Sequence, residues 1–195
     1  MKNKILVIGA GSWGTAIADI LAKKNKSVDI WTRNIKISDE INNKNTNKKY
    51  FKKIKLQKNL NSISGAFDTS QYSYIFYVLP AGKFEHFIKN YLINQKINNF
   101  TICSKGLSTN GQLISVVAKA YLKFKNLYIL SGPSFAEEVI KGLPTALSVS
   151  SNSSPLPLGK LFKGTNIRIY YSKNYKTLEV LGVIKNIYAI GAGII

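Results

Sequence analysis

Apolar positions along the chain recur with two periods, and each period marks a different element. Ile5-Leu-Val-Ile8 is a continuous, β-branched run ended by glycine, the pattern of a strand buried on both faces. Gly9-Ala-Gly11-Ser-Trp-Gly14 follows at once, and Ile17, Ile20 and Leu21 then fall at helical spacing between Thr15 and Lys24. Residues 27–32 (Ser-Val-Asp-Ile-Trp-Thr) read as a second strand, which closes a βαβ unit with parallel pairing and a right-handed crossover. A polar, Asn- and Lys-rich stretch covers 34–61, with a helix expected near 36–42. Further strands are predicted over 74–79, stopped by Pro80, and over 100–104, 127–130, 145–150 and 167–171. Helices are predicted over 83–92, 112–124 and 135–141, in a short piece after the Ser/Pro-rich 150–157, and from Thr177 onward. Strands alternating with helices define an α/β fold: a doubly wound, Rossmann-type, mostly parallel sheet.

Composition narrows the class. A chain of 195 residues, 45% of them hydrophobic, can bury a real core, which excludes intrinsic disorder. The single Cys excludes an intramolecular disulfide framework and Cys-built zinc or iron–sulfur sites, and lone His86 makes no metal cluster, so no metal site is expected. The apolar run before Gly9 is shorter than the roughly 7–15 residues of a secretory segment. No stretch reaches the roughly 18 apolar residues of a membrane span; the nearest, 180–195, carries Lys185 and Asn186. A cytoplasmic protein without a membrane span is expected.

Charge raises a different class of partner. With 28 Lys plus Arg against 9 Asp plus Glu, the formal charge is +19, enough to attract polyanions at low salt. Only Arg33 and Arg168 are arginines, however, and the lysines are dispersed among Asn and Ile. Base readout favours the planar fork that lysine lacks, so no specific nucleic acid is expected. The dense patch from Lys44 to Lys58 is either a solvated loop or an attractor for an anion.

Several segments carry candidate chemistry. Between a buried strand and a helix, Gly9 permits a tight turn, Gly11 lets backbone approach a pyrophosphate, and Gly14 lets helix and strand pack closely. The helix start offers free N–H groups and a partial positive charge. At the tip of the second strand, where an NAD site usually places an acid, the chain has Trp31-Thr32-Arg33, with Asp29 inside the strand. Arg33 is either a partner for a 2′-phosphate, which makes NADPH at least as good as NADH, or a surface cation. Lys105 and the Ser131 to Glu138 segment fall at the carboxyl edges of strands, where ligands of open α/β sheets bind, with Ser134 a candidate helix cap. Lys185 is the lone charge in an apolar helical stretch. It is either a desolvated proton donor and acceptor or a lysine that snorkels out of a core helix.

Gly9-Ala-Gly-Ser-Trp-Gly-Thr-Ala16, Ser104-Lys-Gly-Leu107, Ser131-Gly-Pro-Ser-Phe-Ala-Glu-Glu138, Gly142-Leu-Pro-Thr-Ala146 and Lys185-Asn-Ile-Tyr-Ala-Ile-Gly-Ala-Gly193 fall in one order along the chain. Together they resemble the bacterial NAD(P)-dependent glycerol-3-phosphate dehydrogenases. The resemblance implies reversible reduction of dihydroxyacetone phosphate to sn-glycerol 3-phosphate for glycerophospholipid synthesis, with NADPH or NADH. It further implies that Ser12, Trp13, Arg33 and Ala136 contact the cofactor, and that Lys105 touches both cofactor and substrate. Gly132 and Ser134 match substrate contacts, and Lys185 the proton donor and acceptor. Tyr50 matches a cofactor-side tyrosine, although Phe51-Lys-Lys-Ile54 replaces the family's Leu-Pro-Gly after it.

The same resemblance divides the chain into a dinucleotide-binding domain (1–173) and the beginning of a helical substrate domain (174–195). The substrate-phosphate ligands of that second domain are expected beyond Ile195, and an uncovered final helix is expected to favour self-association or a homodimer. Three alternatives stay open: an inactive NAD(P)H-binding fragment, a lysine-rich polyanion binder, and another β-hydroxyacid or ketone reductase of similar architecture.

Overall fold

In the computed structural model, β1 (Ile5–Ile8) is buried along its whole length because strands pair with it on both sides. Ile5 stands opposite Val28 of β2 (Val28–Trp31) and Tyr74 of β4 (Tyr74–Tyr77), both in parallel register. The structure describes residues 4–25 and 27–194, without the side chain of Asn186; Ile195, the end of the expected second domain, lies outside the described residues. Outward from these strands lie β3 (Leu60–Ile63) on one side, and on the other β5 (Lys96–Ile102), β6 (Lys123–Ser131), β7 (Thr145–Ser151) and β8 (Ile167–Tyr171). The eight-stranded sheet has the order β3-β2-β1-β4-β5-β6-β7-β8. Its first six strands are mutually parallel in the doubly wound order that places ligand sites at the carboxyl ends, beside the reversal between β1 and β4.

Alternation along β1 splits the core in two. Ile5 and Val7 join one apolar layer with α1 (Ser12–Lys24), α5 (Ala136–Ile140) and α6 (Leu156–Lys160). Leu6 and Ile8 join the opposite layer with α3 (Phe84–Phe87), α4 (Ile114–Tyr121) and Leu178 of α7 (Tyr175–Ala192). α2 (Ile35–Lys44) flanks β3, and its Asn34 cap accepts a bond from the Ile37 N–H at 3.3 Å.

The structure corrects the sequence-based reading at three places and puts one antiparallel pairing into the mostly parallel sheet. β3 lies within the polar stretch expected to hold only helix and loop. This edge strand alternates buried and exposed residues, and Asn42 holds its outer backbone, donating to the Ser62 carbonyl at 3.0 Å and accepting from its N–H at 2.7 Å. The helix expected to reach residue 124 ends at Tyr121, because Lys123 to Lys125 extend β6 against β5. The expected 83–92 helix is one turn, α3, followed by a wide turn over Ile88–Leu92. β7 runs antiparallel to β6 and brings β8 with it, so the start of β7 lies at the same sheet edge as the end of β6.

Candidate active site

The first βα turn shows why three glycines stand where they do. Gly9 adopts φ +117°, and a Cβ there would meet Leu79 Cδ2 at 2.9 Å. A Cβ on Gly14 would lie 1.8 Å from the Gly9 carbonyl oxygen, so α1 packs on the turn with no room for a methyl. A Cβ on Gly11 would meet nothing within 4 Å. Gly11 also occupies the N-cap of α1, where no side chain bonds the first turn and no acidic residue is present in it. The orphan N–H groups of that turn thus face open space with the positive end of a 13-residue helix behind them.

That space opens into a cleft of about 820 Å³ along the carboxyl ends of the strands. Gly9, Gly11, Ser12, Trp13 and Gly14 line its middle. Toward β2 it is lined by Arg33, Lys49 and Tyr50, with Trp31, Phe87 and Tyr91 as an aromatic wall in which the Trp31 ring meets Phe87 at 4.9 Å and Tyr91 at 5.0 Å. Arg33 is exposed and carries no carboxylate partner among the described residues. Asp29 takes no part here: its carboxylate accepts from the Tyr72 hydroxyl at 2.7 Å and pairs with Lys4 at 2.9 Å, fixing the entry side of the sheet.

Toward β5 and β6 the cleft is lined by Ser104, Lys105, Ser134, Phe135 and Ala136. Lys105 donates from Nζ to the Gly132 carbonyl at 2.9 Å. Gly132 and Lys185 stand at the margin rather than in the cleft wall, with Lys185 Nζ 6.0 Å from the Phe135 ring centroid. α7 crosses this edge through Gly182, whose missing Cβ would lie 3.1 Å from Ser131 Oγ and 3.8 Å from Lys105 Cγ. Burial holds the Lys105 ammonium below the usual lysine range, and the positive charge of neighbouring Lys185 pushes it further down. Among the described residues, the buried hydroxyls of Ser104 and Ser134 have no partner. Ser134 is not the cap of α5, as expected from sequence; Phe135 occupies that position, and the Ser134 hydroxyl is left free at the site.

Two residues central to this geometry escape sequence reasoning. Asn47 is fully buried and donates from Nδ2 to the Ala10 carbonyl at 3.1 Å and to Thr15 Oγ1 at 2.9 Å. It thereby ties the lysine-rich loop that carries Lys49 and Tyr50 to the glycine turn. Within a run of Asn and Lys it has no distinguishing signal. Glu179, on α7, is the second, and only its place one turn before Gly182 hints at it.

An uncapped helix start over a bare glycine, a long cleft crossing the sheet's reversal point and unpartnered polar groups at its far end together define a dinucleotide-binding, Rossmann-type domain. Residues 4–156 match the family model described as NAD-dependent glycerol-3-phosphate dehydrogenase N-terminus, and the chain belongs to that family. A glycerol-3-phosphate dehydrogenase [NAD(P)+] from Orientia tsutsugamushi is 39% identical, over 98% of this chain and 60% of its own length. One from Clostridium botulinum is 36% identical, over 99% of this chain and 60% of its own. The crystal structure of the Coxiella burnetii glycerol-3-phosphate dehydrogenase superposes with a TM-score of 0.85 at 29% identity, covering 99% of this chain and 61% of that one. The chain therefore spans about 60% of the length of the curated relatives it matches. No helix among the described residues is long and apolar enough to cross a membrane.

Proposed function

We propose that this chain is the cofactor-binding part of a dehydrogenase that reduces dihydroxyacetone phosphate to sn-glycerol 3-phosphate in the cytoplasm. The observation that carries the reading is the meeting of Lys105 and Lys185 at one end of a cleft whose middle is a bare glycine cradle. A dinucleotide fits these residues: the α1 N-terminus and Gly11 accommodate a pyrophosphate, Ser12, Trp13 and Ala136 line its path, and Arg33 with Tyr50 flanks the adenosine end. NADPH or NADH supplies the hydride when bound. Arg33 favours the 2′-phosphate of NADPH.

The chain's own groups supply orientation and the proton. Lys105, fixed by the Gly132 carbonyl, retains N–H groups to hold a substrate oxygen, and the free Ser134 hydroxyl offers a second contact. Lys185 in its cationic form polarises the ketone oxygen and delivers the proton that completes the alcohol. Residues 1–173 constitute the dinucleotide domain and 174–195 open the substrate domain, which supplies the grip on the substrate phosphate. α7 exposes Leu181, Ile187, Tyr188 and Ile190, which supports cover by that domain or self-association.

The decisive assay is NADPH oxidation with dihydroxyacetone phosphate alongside binding of NADPH alone. Turnover that falls at least about a hundredfold in Lys185→Ala, with NADPH affinity unchanged, is expected. Retained turnover in that variant rejects the proton-transfer role. NADPH binding without any wild-type turnover favours an inactive cofactor-binding fragment.

A further inference from the structure

α4 begins without a cap of its own: Leu113 occupies the N-cap and offers no side-chain acceptor. The acceptor comes from a different helix. Glu179 of α7, only 5% exposed, takes the Ser115 N–H on Oε1 at 3.0 Å. Its other oxygen, Oε2, and the Ser115 hydroxyl are both buried and have no partner among the described residues. Burial raises the carboxyl above the usual glutamate range, while the backbone N–H groups at the start of α4 pull it back. A carboxylate so placed is costly unless the helix end it meets offsets the desolvation.

α7 also lies against β6 and β7, and its first turns hold further contacts. Leu178 is buried beside Glu179, and Tyr175 takes Lys119 of α4 against its ring and hydroxyl. Beyond it, Val180, Leu181 and Ile184 are exposed, and buried Gly182 meets the sheet edge at Ser131. Gly182 and Lys185 follow Glu179 at spacings of three and six residues, each step turning about 60° around the helix, so Gly182 lies between the other two. This winding brings Gly182 against Lys105 Cγ and Lys185 beside the Lys105 ammonium.

We propose that Glu179 is a positioning residue: by capping α4 from α7 it clamps the base of α7 to the sheet domain and so sets Lys185 beside Lys105. Its functional meaning rests on the proposed role of Lys185, whereas the clamp itself is tested independently of catalysis. Two conservative changes, one isosteric and one shorter by a methylene, separate reach from charge. Glu179→Gln keeps an acceptor at Oε1 and loses the charge, while Glu179→Asp keeps the charge and withdraws it by one methylene; Glu179→Ala removes both.

The readout is the pH dependence of acetic anhydride labelling at Lys105, resolved by peptide mass spectrometry, with Lys185→Ala as the reference. Removing Lys185 lifts the Lys105 titration by relieving repulsion. Glu179→Ala and Glu179→Asp lift it at least as far, because a displaced α7 takes away both the charge and the cover, whereas Glu179→Gln leaves it at the wild-type position. Where turnover is measurable, the same two variants lower kcat by about tenfold or more with NADPH affinity within about twofold, and Gln stays within about threefold of wild type. Wild-type labelling in folded Glu179→Asp overturns the proposal, as does a Glu179→Gln variant that behaves like Asp, and the Gln/Asp contrast decides even if Glu179→Ala does not fold. Absence of wild-type turnover counts against the dehydrogenase reading alone and leaves the labelling comparison standing.

Discussion

Gly11 and Gly14 look alike in the sequence, but alanine at each should do opposite things. At Gly14 the new methyl would start 1.8 Å from the Gly9 carbonyl oxygen and must move beyond 3.0 Å, so α1 has to retreat by more than an ångström. That helix is buried from Gly14 to Ala22, so retreat loosens the core layer it anchors. Overpacking of this kind costs about 1–3 kcal/mol, and the upper end applies because the obstacle is backbone rather than a movable side chain. The better helix propensity of alanine returns up to about 1 kcal/mol. A net loss near 2 kcal/mol corresponds to a Tm lower by about 4–8 °C for a chain of this size. At Gly11 the backbone angles, φ −73° and ψ −176°, suit alanine, and the methyl meets nothing in the protein. The loss of glycine at an N-cap and the stiffer unfolded chain are each worth under about 1 kcal/mol and oppose one another, so Tm should stay within about 3 °C. The methyl instead occupies the space above the free N–H groups, and the NADPH dissociation constant should rise at least about tenfold, or 1.4 kcal/mol. Thermal unfolding by circular dichroism and quenching of the cleft tryptophans, Trp13 and Trp31, by NADPH read the two effects separately. Unchanged NADPH affinity in Gly11→Ala would refute the cradle, and a wild-type Tm in Gly14→Ala would refute the packing argument.

Two further substitutions probe the adenosine end. Arg33→Ala should weaken NADPH by about tenfold while leaving NADH within about twofold, since charge-assisted bonds to a phosphate are worth about 1.5–3 kcal/mol; equal losses for the two cofactors, measured by titration, would make Arg33 a surface cation. Asn47→Ala deletes two buried hydrogen bonds and should cost about 1–2 kcal/mol in urea unfolding, and because the loop bearing Lys49 and Tyr50 loses its tie to Ala10, NADPH affinity should also fall. Lost stability with NADPH affinity intact would restrict Asn47 to the fold.

What could be read from the chain depended on how local its cause was. β1 and the turn after it were legible because a strand buried on both faces is a continuous apolar run and the backbone path around it demands glycine at fixed places. β3 was not, because a four-residue edge strand with Asn61 and Ser62 in it is stabilised from outside by the Asn42 side chain, 20 residues earlier. The direction of β7 was illegible for another reason: burial patterns are the same for a strand run either way, and only the path from Ser131 to Thr145 decides it. Ser104 and Ser134 were placed at strand ends correctly, yet their lack of any partner is a three-dimensional fact. Glu179 carried no signal in the sequence, since the Ser115 N–H it satisfies lies 64 residues away.

The charge of the chain looks different once Lys105 and Lys185 are seen together. Dispersed surface lysines repel weakly through water, but these two approach where Lys105 is partly desolvated, and neither pairs with a carboxylate among the described residues. The Gly132 carbonyl satisfies one Lys105 N–H and leaves the others directed at the same edge of the sheet. A fold that keeps two unneutralised ammoniums together sets up a local potential relieved by an electron-rich oxygen, and the strand ends are where such a ligand can reach them. A polyanion would be bound as well by lysines anywhere on the surface and would need no such meeting. Under the proposed dehydrogenase reading, the convergence of two cations, one just past the end of β5 and one on α7, rather than the net charge of +19, is therefore the electrostatic feature that suits a small substrate oxygen.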